Sequence, residues 1–265
     1  MYQTTYHRAA SVDEALRLHA GGEESKYVSG GMTLIPTMKQ RLAAPTDLID
    51  LRRIASLKGI SISGKTVRIG AATTHYEVSS SAELRAVCPA ICDLAAHIGD
   101  PHVRHMGTIG GSIANDDPAA DYPSAMLALG ATIVTNKREI AASDFFVGMF
   151  ETALEDGEII TSISFDAPAK AAYAKFPNPA SRYAMAGVFV ARDAGGTVRV
   201  AVTGAGSNGV FRQTDMEAAL SANWSADAIA GITVDPADLL SDIHGSAEYR
   251  ANLVKVMAKR AVAAA

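Results

Sequence analysis

The chain has 265 residues, of which 48% are hydrophobic and 20% are charged, a composition that is typical of globular proteins and excludes collagen-like, coiled-coil and extensively disordered chains. Its 24 Lys and Arg residues against 28 Asp and Glu residues give a net charge of −4, which excludes bulk electrostatic recruitment to nucleic acid or to an anionic membrane. No apolar run reaches the ~20 residues of a membrane helix, and the N-terminus lacks a secretory pattern. We therefore expect a cytoplasmic protein without a transmembrane segment, for which peripheral association with the inner face of the membrane stays open.

The first part of the chain predicts a helix, a strand, a second helix and a short strand. Ser11 and Glu14 form a capping box, and the helix that they begin is expected to end at Gly21-Gly22. Residues 26–28 predict one strand and residues 48–49 the other. The second helix is predicted by apolar residues that recur every four positions: Leu34, Met38 and Leu42.

Beyond residue 57 the apolar period shortens to two, which predicts strands. Residues 60–62 and 67–69 flank a Ser-Gly-Lys turn and predict a hairpin. A helix, an irregular stretch and a short helix are then expected at Pro89 to Gly99, at 100–121 and at 122–129.

The last part of the chain predicts two strands, a domain boundary, a hairpin and two amphipathic terminal helices. The boundary is expected at 166–170, because a Pro-containing segment there follows the last predicted strand of the first domain. The predicted domains are 1–168, with subdomains of about 1–55 and 56–168, and 169–265. The strands are expected near 131–134 and 159–165, and those of the hairpin at 187–191 and 198–202.

Cys88 and Cys92 are the only cysteines in the chain, and they lie four residues apart. An iron–sulfur cluster normally takes four protein ligands, so two thiols cannot hold one. Because a chain of this size needs no disulfide or metal cross-link, we expect both thiols to be free and half-buried. Any redox chemistry therefore requires a non-metal cofactor or a partner subunit.

Two glycine loops suggest a phosphate-bearing ligand. The first glycine loop is Ser29-Gly30-Gly31-Met32-Thr33 and the second is Thr108-Ile109-Gly110-Gly111-Ser112. Because glycine lacks Cβ, successive backbone N–H groups can converge on an anion. One such loop is more often only a turn, but two indicate two phosphates and hence a dinucleotide. No G-x-G-x-x-G motif opens the first βα unit, and no acidic residue follows it at the expected distance, so a Rossmann site is not expected.

These loops and their flanking residues resemble the FAD-binding medium subunit of molybdenum hydroxylases, the carbon monoxide dehydrogenase and xanthine dehydrogenase group. The resemblance spans nearly the whole chain. It is carried by His7-Arg8 before 11–16, by 29–36, by 98–104 running into the second glycine loop, and by 117–121. It implies an α+β architecture: a vanillyl-alcohol-oxidase (PCMH)-type FAD-binding fold of two α/β subdomains, followed by a C-terminal α+β domain.

The resemblance also implies noncovalent FAD and a set of residues that hold it. The backbone amides of both glycine loops would wrap the diphosphate. Asp121 would accept a hydrogen bond from the ribose or adenine side, and Lys175 and Tyr183 would lie near the isoalloxazine ring. A lysine beside the flavin N1–C2=O edge would stabilise the anionic reduced form and raise the potential. No catalytic side chain is implied. Covalent attachment at His75 or a cysteine is not indicated by any motif.

Each of these residues has a structural alternative. Asp121 precedes a predicted helix and would serve equally well as its N-cap. Lys175 would otherwise be a surface lysine, and Tyr183 a core aromatic residue. A metal site is not expected from the histidines near the second loop, because their segment is irregular and the pattern is a weak one: His97, His102 and His105, with Asp100.

The implied partners are a large subunit with the molybdenum cofactor and a small subunit with two [2Fe–2S] clusters, assembled as a dimer of heterotrimers. The chain would take electrons from a cluster and pass them to an external acceptor. The alternatives are a self-sufficient FAD-dependent oxidoreductase of the same fold and a non-enzymatic FAD-holding scaffold. Gly110→Val is expected to abolish flavin retention while sparing most of the fold. Neither the oxidised substrate nor the final acceptor follows from the sequence.

Overall fold

Three parallel strands form the first sheet of the computed structural model, which describes residues 1–265. They are β1 (Thr5–Arg8), β2 (Ser25–Val28) and β3 (Asp47–Asp50), in the order β1-β3-β2, with crossover helices α1 (Val12–Gly21) and α2 (Leu34–Lys39). The Ser11 hydroxyl accepts from the Glu14 N–H, so the predicted helix start is confirmed. Strand β1 was not predicted from the sequence. Since the strands are parallel, their carboxyl ends lie at one edge, and the first glycine loop leaves β2 there.

The second sheet is antiparallel and lies under a layer of short helices. Its strand order is β4-β5-β10-β6-β7, and the predicted hairpin forms its edge. A 3₁₀ turn at Ala55–Leu57 precedes it. The strands of this region are β4 (Ile60–Ser63), β5 (Thr66–Gly70), β6 (Thr132–Thr135), β7 (Glu139–Ala141), β8 (Phe146–Gly148), β9 (Glu151–Thr152) and β10 (Ile160–Asp166), and strands β8 and β9 pair separately. The helices are α3 (His75–Ser80), α4 (Ala82–Val87), α5 (Pro89–Ala96), α6 (Pro101–Met106), α7 (Ile109–Asn115), α8 (Tyr122–Leu129) and α9 (Ala142–Phe145).

The expectation of an irregular stretch at 100–121 was wrong, because α6 and α7 lie within it. Asp100 caps α6 by accepting from the Val103 N–H at 2.9 Å, and Pro101 occupies the first helical position. The Thr108 hydroxyl caps α7 in the same way by accepting from the Gly111 N–H at 3.1 Å. The two glycines are therefore in the first turn of a helix, where their low helix propensity concealed it.

A third sheet, in the order β11-β12-β13-β14, forms the C-terminal part of the chain together with two helices. Its face bearing Phe189 and Ala201 joins the large core that includes α5 and α8. The opposite face, bearing Val188 and Val190, packs on the terminal helix. No helix in the structure combines the length and apolar character needed to cross a membrane. The elements are β11 (Lys170–Pro177), β12 (Ala184–Arg192), β13 (Val198–Thr203), β14 (Phe211–Arg212), α10 (Thr214–Ala222) and α11 (Ala247–Ala264).

Candidate functional site

A cavity of about 680 Å³ opens where the three sheets approach one another, and we call it the main cavity. Its volume lies within the range of about 300–1,000 Å³ that is usual for small-molecule sites. All but one of the residues singled out from the sequence line it: Ser29, Gly30, Gly31, Met32, Thr33, Thr108, Gly110, Gly111, Ser112, Asp121, Lys175 and Tyr183.

Ile109 is the exception. Its side chain is fully buried in the core under the second sheet, and it does not line the main cavity. Its backbone N–H donates to the Thr73 carbonyl at 3.1 Å, so it also has no free amide to offer a ligand. The expectation that Ile109 contacts the cofactor is therefore corrected.

The first glycine loop presents backbone amides that have no acceptor within the chain. None of the five N–H groups from Ser29 to Thr33 donates a hydrogen bond to another protein group. Ser29, Gly30 and Gly31 are half-buried and Met32 and Thr33 are exposed, so these five successive amides are accessible from the main cavity and free to donate. Gly31 has a φ of +69°, a left-handed conformation that glycine adopts without strain. The loop is suited to an anion with several acceptor oxygens.

The second glycine loop differs, because four of its five amides, all but that of Thr108, donate inside the protein. The Gly110 N–H donates to the Ala71 carbonyl at 2.9 Å, and the Ser112 N–H donates to the Thr108 carbonyl at 3.0 Å. The expectation that this loop also wraps a diphosphate through its amides is thus not met. What remains open to the cavity is the Ser112 hydroxyl, which forms no hydrogen bond within the chain.

The two loops lie directly against each other. A Cβ on Gly30 would overlap the Met106 carbonyl oxygen and would lie 2.6 Å from the Gly107 Cα, so only glycine allows this approach. The Thr108 hydroxyl donates to the Ser29 hydroxyl at 3.1 Å, which joins the loops through their side chains. The second loop therefore acts as the support that holds the first one open.

A buried charged network forms another part of the cavity wall. The Lys175 ammonium donates to the Asp121 carboxylate at 2.9 Å and to the His97 carbonyl at 3.3 Å, and the Tyr173 hydroxyl donates to the same carboxylate. Burial raises the pKa of Asp121, while Lys175 and Tyr173 act in the opposite direction. Gly187 lies opposite Lys175 in the sheet, and a Cβ there would overlap the Tyr173 hydroxyl.

This network decides several alternatives from the sequence. Asp121 occupies the N-cap position of α8, but its side chain makes no capping bond to that helix. The Lys175 side chain is only 3% exposed, so it is not a surface lysine. The Asp121 and Lys175 side chains are in direct contact, so whatever each offers a ligand is coupled to the other; the roles expected for them at the ribose side and at the isoalloxazine ring stay predictions.

Tyr173 was missed from the sequence, although a signal was present. Residues two apart on a strand point to the same face, so Tyr173 and Lys175 had to project together from β11. The segment that carries Asp121 is held by β13, since the Thr203 hydroxyl donates to the Pro118 carbonyl at 3.1 Å. The third sheet thus positions the charged part of the cavity wall.

Tyr183 lies in the turn between β11 and β12 and is 52% exposed, so it is not a core aromatic residue. Burial raises the pKa of its hydroxyl, and Asp117 and Asp121 act in the same direction. Arg182 beside it has a φ of +64°. The turn therefore presents a tyrosine and an arginine to the main cavity, next to the charged network.

A mainly apolar group forms a separate part of the wall. Tyr27 packs with the small core that contains Leu57 and Ile159, and its hydroxyl donates to the Gly157 carbonyl at 3.2 Å. Glu158 is the one carboxylate in this group. It accepts from the Arg138 guanidinium at 3.1 Å, and although burial acts to raise its pKa, these bonds hold it at about 2. Glu158 is therefore fully engaged within the protein.

The cysteines and histidines form no reactive or metal-binding cluster. Cys88 and Cys92 are free, as predicted, but fully rather than half buried, and burial raises their pKa values to about 12 and about 11. No group of three or more His, Cys, Asp or Glu residues is arranged to hold a metal ion. His75 lines the main cavity, and burial, together with the Arg104 charge, lowers its pKa to about 4.

Comparison with known proteins relates these features to one family. A family model described as "FAD binding domain in molybdopterin dehydrogenase" matches residues 2–168. The carbon monoxide dehydrogenase medium chain of Afipia carboxidovorans is 37% identical, over 97% of this chain and 94% of that protein. The nicotine 6-hydroxylase medium subunit of Paenarthrobacter nicotinovorans is 34% identical, over 97% of this chain and 95% of that protein. The solved structure of reconstituted CO dehydrogenase from Oligotropha carboxidovorans superposes with a TM-score of 0.88 at 35% identity, and the match covers 99% of this chain and 98% of that one.

Gly110 and Gly111 are expected to respond differently to alanine. A Cβ on Gly110 would lie 2.5 Å from the Ala71 Cβ and 2.7 Å from its carbonyl oxygen, whereas one on Gly111 meets only the Thr108 hydroxyl, at 2.9 Å. Gly110→Ala should therefore lower the free energy of unfolding by roughly 1–3 kcal/mol, and Gly110→Val should not spare the fold. Gly111→Ala should lower the free energy of unfolding by a smaller amount. Urea unfolding followed by circular dichroism measures both, and equal losses would contradict this account.

Asp116→Asn is expected to stabilise the protein at high pH. Asp116 is buried in a left-handed conformation that asparagine tolerates, and one of its carboxylate oxygens has no partner. Burial, with Asp117, raises its pKa from 3.8 to about 7. Between these values the folded state holds a proton that the unfolded state has released, so raising the pH destabilises the fold.

The gain in the free energy of unfolding should be roughly 1–2 kcal/mol at pH 8 and should vanish near pH 4, after allowance for solvent screening. Thermal unfolding across this pH range measures it. Asp227→Asn provides the control, because Asp227 is exposed and its side chain forms no hydrogen bond. A gain of equal size at both pH values would show that the charge of Asp116 is not its cause.

Proposed function

Because the chain belongs to the family of FAD-binding medium subunits of molybdenum hydroxylases, we propose that the main cavity holds noncovalent FAD and that the chain is the electron-transfer subunit of a heterotrimeric hydroxylase. It is an oxidoreductase component. We place the cofactor in the main cavity because the first glycine loop has five successive amides that are free to donate at the cavity wall.

The residues present suit the diphosphate of FAD. The amides of 29–33 would donate to its oxygens, and the hydroxyls of Thr33 and Ser112 would add side-chain donors. The second loop would not offer a row of amides to the diphosphate. It would support the first loop, and its glycines would allow the two loops to approach each other closely. A chain with a net charge of −4 can hold a dianion in this way, because oriented backbone dipoles act locally and need no basic field.

The two remaining parts of the wall suit the two ends of the cofactor. The apolar group around Tyr27, Leu57 and Ile159 would receive the adenosine end. The charged network would border the isoalloxazine ring, with Lys175 as the cation and Tyr183 beside it. Asp121 would then act through Lys175, whose ammonium it holds in place, instead of binding the ribose.

Bound FAD supplies the ability to exchange electrons between one-electron and two-electron carriers. Partner subunits carry the molybdenum cofactor and the [2Fe–2S] clusters, so this chain contributes no substrate pocket and no catalytic side chain. The relatives named above include proteins of carbon monoxide and of nicotine metabolism, and the substrate of the complex would be decided by its large subunit. We further propose a dimer of heterotrimers that works in the cytoplasm, with domains at 1–168 and 169–265.

Gly31→Ala should weaken FAD binding at least tenfold. The change places Cβ at a φ of +69° in the first glycine loop, which must distort the row of amides. Gly64→Ala is the matched control, because Gly64 has a φ of +60° in a turn with open space and lies outside the main cavity. Gly64→Ala should lose ~1 kcal/mol of stability for its backbone conformation alone, and Gly31→Ala should lose more, because its Cβ would also lie 2.9 Å from the Ile35 Cγ1. The FAD content of the purified complex, from its absorption spectrum, is the measurement.

Competition by ADP should weaken in the Gly31 variant as much as FAD binding does, because ADP presents the diphosphate without the flavin. Equal FAD retention in both variants would contradict the diphosphate placement. A chain that oxidises a substrate without partner subunits would support the self-sufficient enzyme instead. FAD that no iron–sulfur partner can reduce would support the scaffold.

Two substitutions in the charged network should shift the flavin potential in opposite directions. Lys175→Met removes a cation that favours the anionic reduced flavin, so the midpoint potential should fall. Asp121→Asn leaves the Lys175 ammonium without its carboxylate, so the potential should rise. Spectroelectrochemical titration of the FAD-loaded protein measures both. Shifts of the same sign would show that the pair acts on the fold and not through its charge.

A further inference from the structure

A second cavity, of about 370 Å³, lies beside the main one and has an unusual charge. Its lining includes four cationic side chains and a single carboxylate, in a chain whose net charge is −4. We call it the basic cleft, defined by Arg8, Arg52, Arg53, Lys58 and Asp50. Nothing in the proposed function uses it.

The one carboxylate of the basic cleft is already neutralised. Asp50 is 2% exposed and accepts hydrogen bonds from the Tyr6 hydroxyl, from the Arg52 backbone N–H at 2.8 Å and from the Arg52 guanidinium at 2.8 Å. Burial acts to raise its pKa, but these donors outweigh burial and hold it below its usual value. Asp50 therefore cannot balance the other cations.

The remaining three cations have no partner within the chain. Arg8, Arg53 and Lys58 form no ion pair with any carboxylate, and all three are exposed. Arg8 instead lies over the Tyr6 ring, with its guanidinium carbon 5.8 Å from the ring centroid. Thr74 in the lining is bonded to the Glu77 carboxylate, which accepts from the backbone N–H and the hydroxyl of Thr74 and forms no ion pair with the cleft cations. The cleft thus holds uncompensated positive charge.

The fold concentrates this charge at one edge of the first sheet. Arg8 ends β1, and Arg52 and Arg53 follow β3 after Leu51, so they lie at the same carboxyl edge from which β2 leads into the first glycine loop. Carboxyl edges of parallel strands are where such sheets bind ligands. The basic cleft and the main cavity share Ala72 and Thr108 in their linings.

The character of the surface favours a protein over a small molecule. Only two of the ten lining residues are hydrophobic, whereas small-molecule sites are lined mainly by apolar groups. Exposed aromatic and thioether side chains surround the cations: Tyr6 and Tyr76 are each 47% exposed and Met106 is 39% exposed, and Tyr76 stacks on His105. Arginine, tyrosine and methionine together are typical of protein interfaces.

We propose that the basic cleft docks an acidic, carboxylate-bearing segment of another subunit of the complex, which rests on the proposed function for the existence of that complex. The segment would neutralise Arg8, Arg53 and Lys58 at the edge next to the first glycine loop. Charge complementarity of this kind mainly increases the rate of association and selects the partner.

A charge reversal with a matched control tests this docking site. Arg53→Glu combined with Lys58→Glu reverses two cleft cations, and Arg17→Glu combined with Lys39→Glu makes the same charge change at exposed positions of the same region that line neither cavity. The FAD-loaded chain is titrated against the partner subunits at low and at high salt. The cleft variant should associate at least tenfold more weakly at low salt and lose most of the salt dependence, while the control should match the wild type.

Three readouts separate this proposal from the proposed function. FAD content and wild-type association report on the proposed function, and the difference between the two double variants reports on the cleft. If the cleft variant associates like the control while the wild-type complex forms, the docking site is overturned and the function stands. If the cleft variant loses FAD in step with association, the cations serve the cofactor diphosphate, and the docking site is again overturned.

Discussion

The close approach of Gly30 to the backbone at Met106 and Gly107 is the constraint on which the site depends. A loop with five unpaired amides would normally turn them toward its own carbonyls or toward solvent. Here the start of α7 supports the loop from behind, because its own amides are committed to the carbonyls of Ala71 and Thr73. One glycine pair therefore supplies donors, and the other supplies the space and rigidity that keep those donors aimed at the main cavity.

The charged network shows how the C-terminal sheet takes part in a site that otherwise belongs to the first two sheets. Asp121 lies before α8, but its carboxylate is held by Tyr173 and Lys175 of β11, and its segment is held by Thr203 of β13. An ion pair buried on both sides costs desolvation and contributes little net stability. Its retention at a cavity wall is better explained by what it does to a ligand: it fixes a cation at one position.

In this protein the placement of individual donors and cations, and not the net charge of the chain, decides where an anionic group would bind. The chain is net acidic, so the proposed diphosphate site relies on oriented amides, and the positive charge that does exist is concentrated in the basic cleft. Both features lie at the carboxyl edge of the same three-stranded sheet. The proposed cofactor site and the proposed docking site share Ala72 and Thr108 in their linings. A change of structure at these two residues would therefore affect both sites.

The sequence by itself determined the α+β class, the family, the two glycine loops and the starts of α1, α5 and α8, because these depend on local chemistry: a capping Ser11, a Pro at position 89, and glycines that leave backbone amides accessible. It did not reveal the short helices α3, α4, α6, α7 and α9. In α7, Gly110 and Gly111 lower helix propensity, and only the contact with Ala71 explains the glycine at position 110. It also could not separate Asp121 as a cap from Asp121 as a partner of Lys175. That pairing joins residues 54 positions apart, and only the tertiary structure, by packing the third sheet against α8, brings them together.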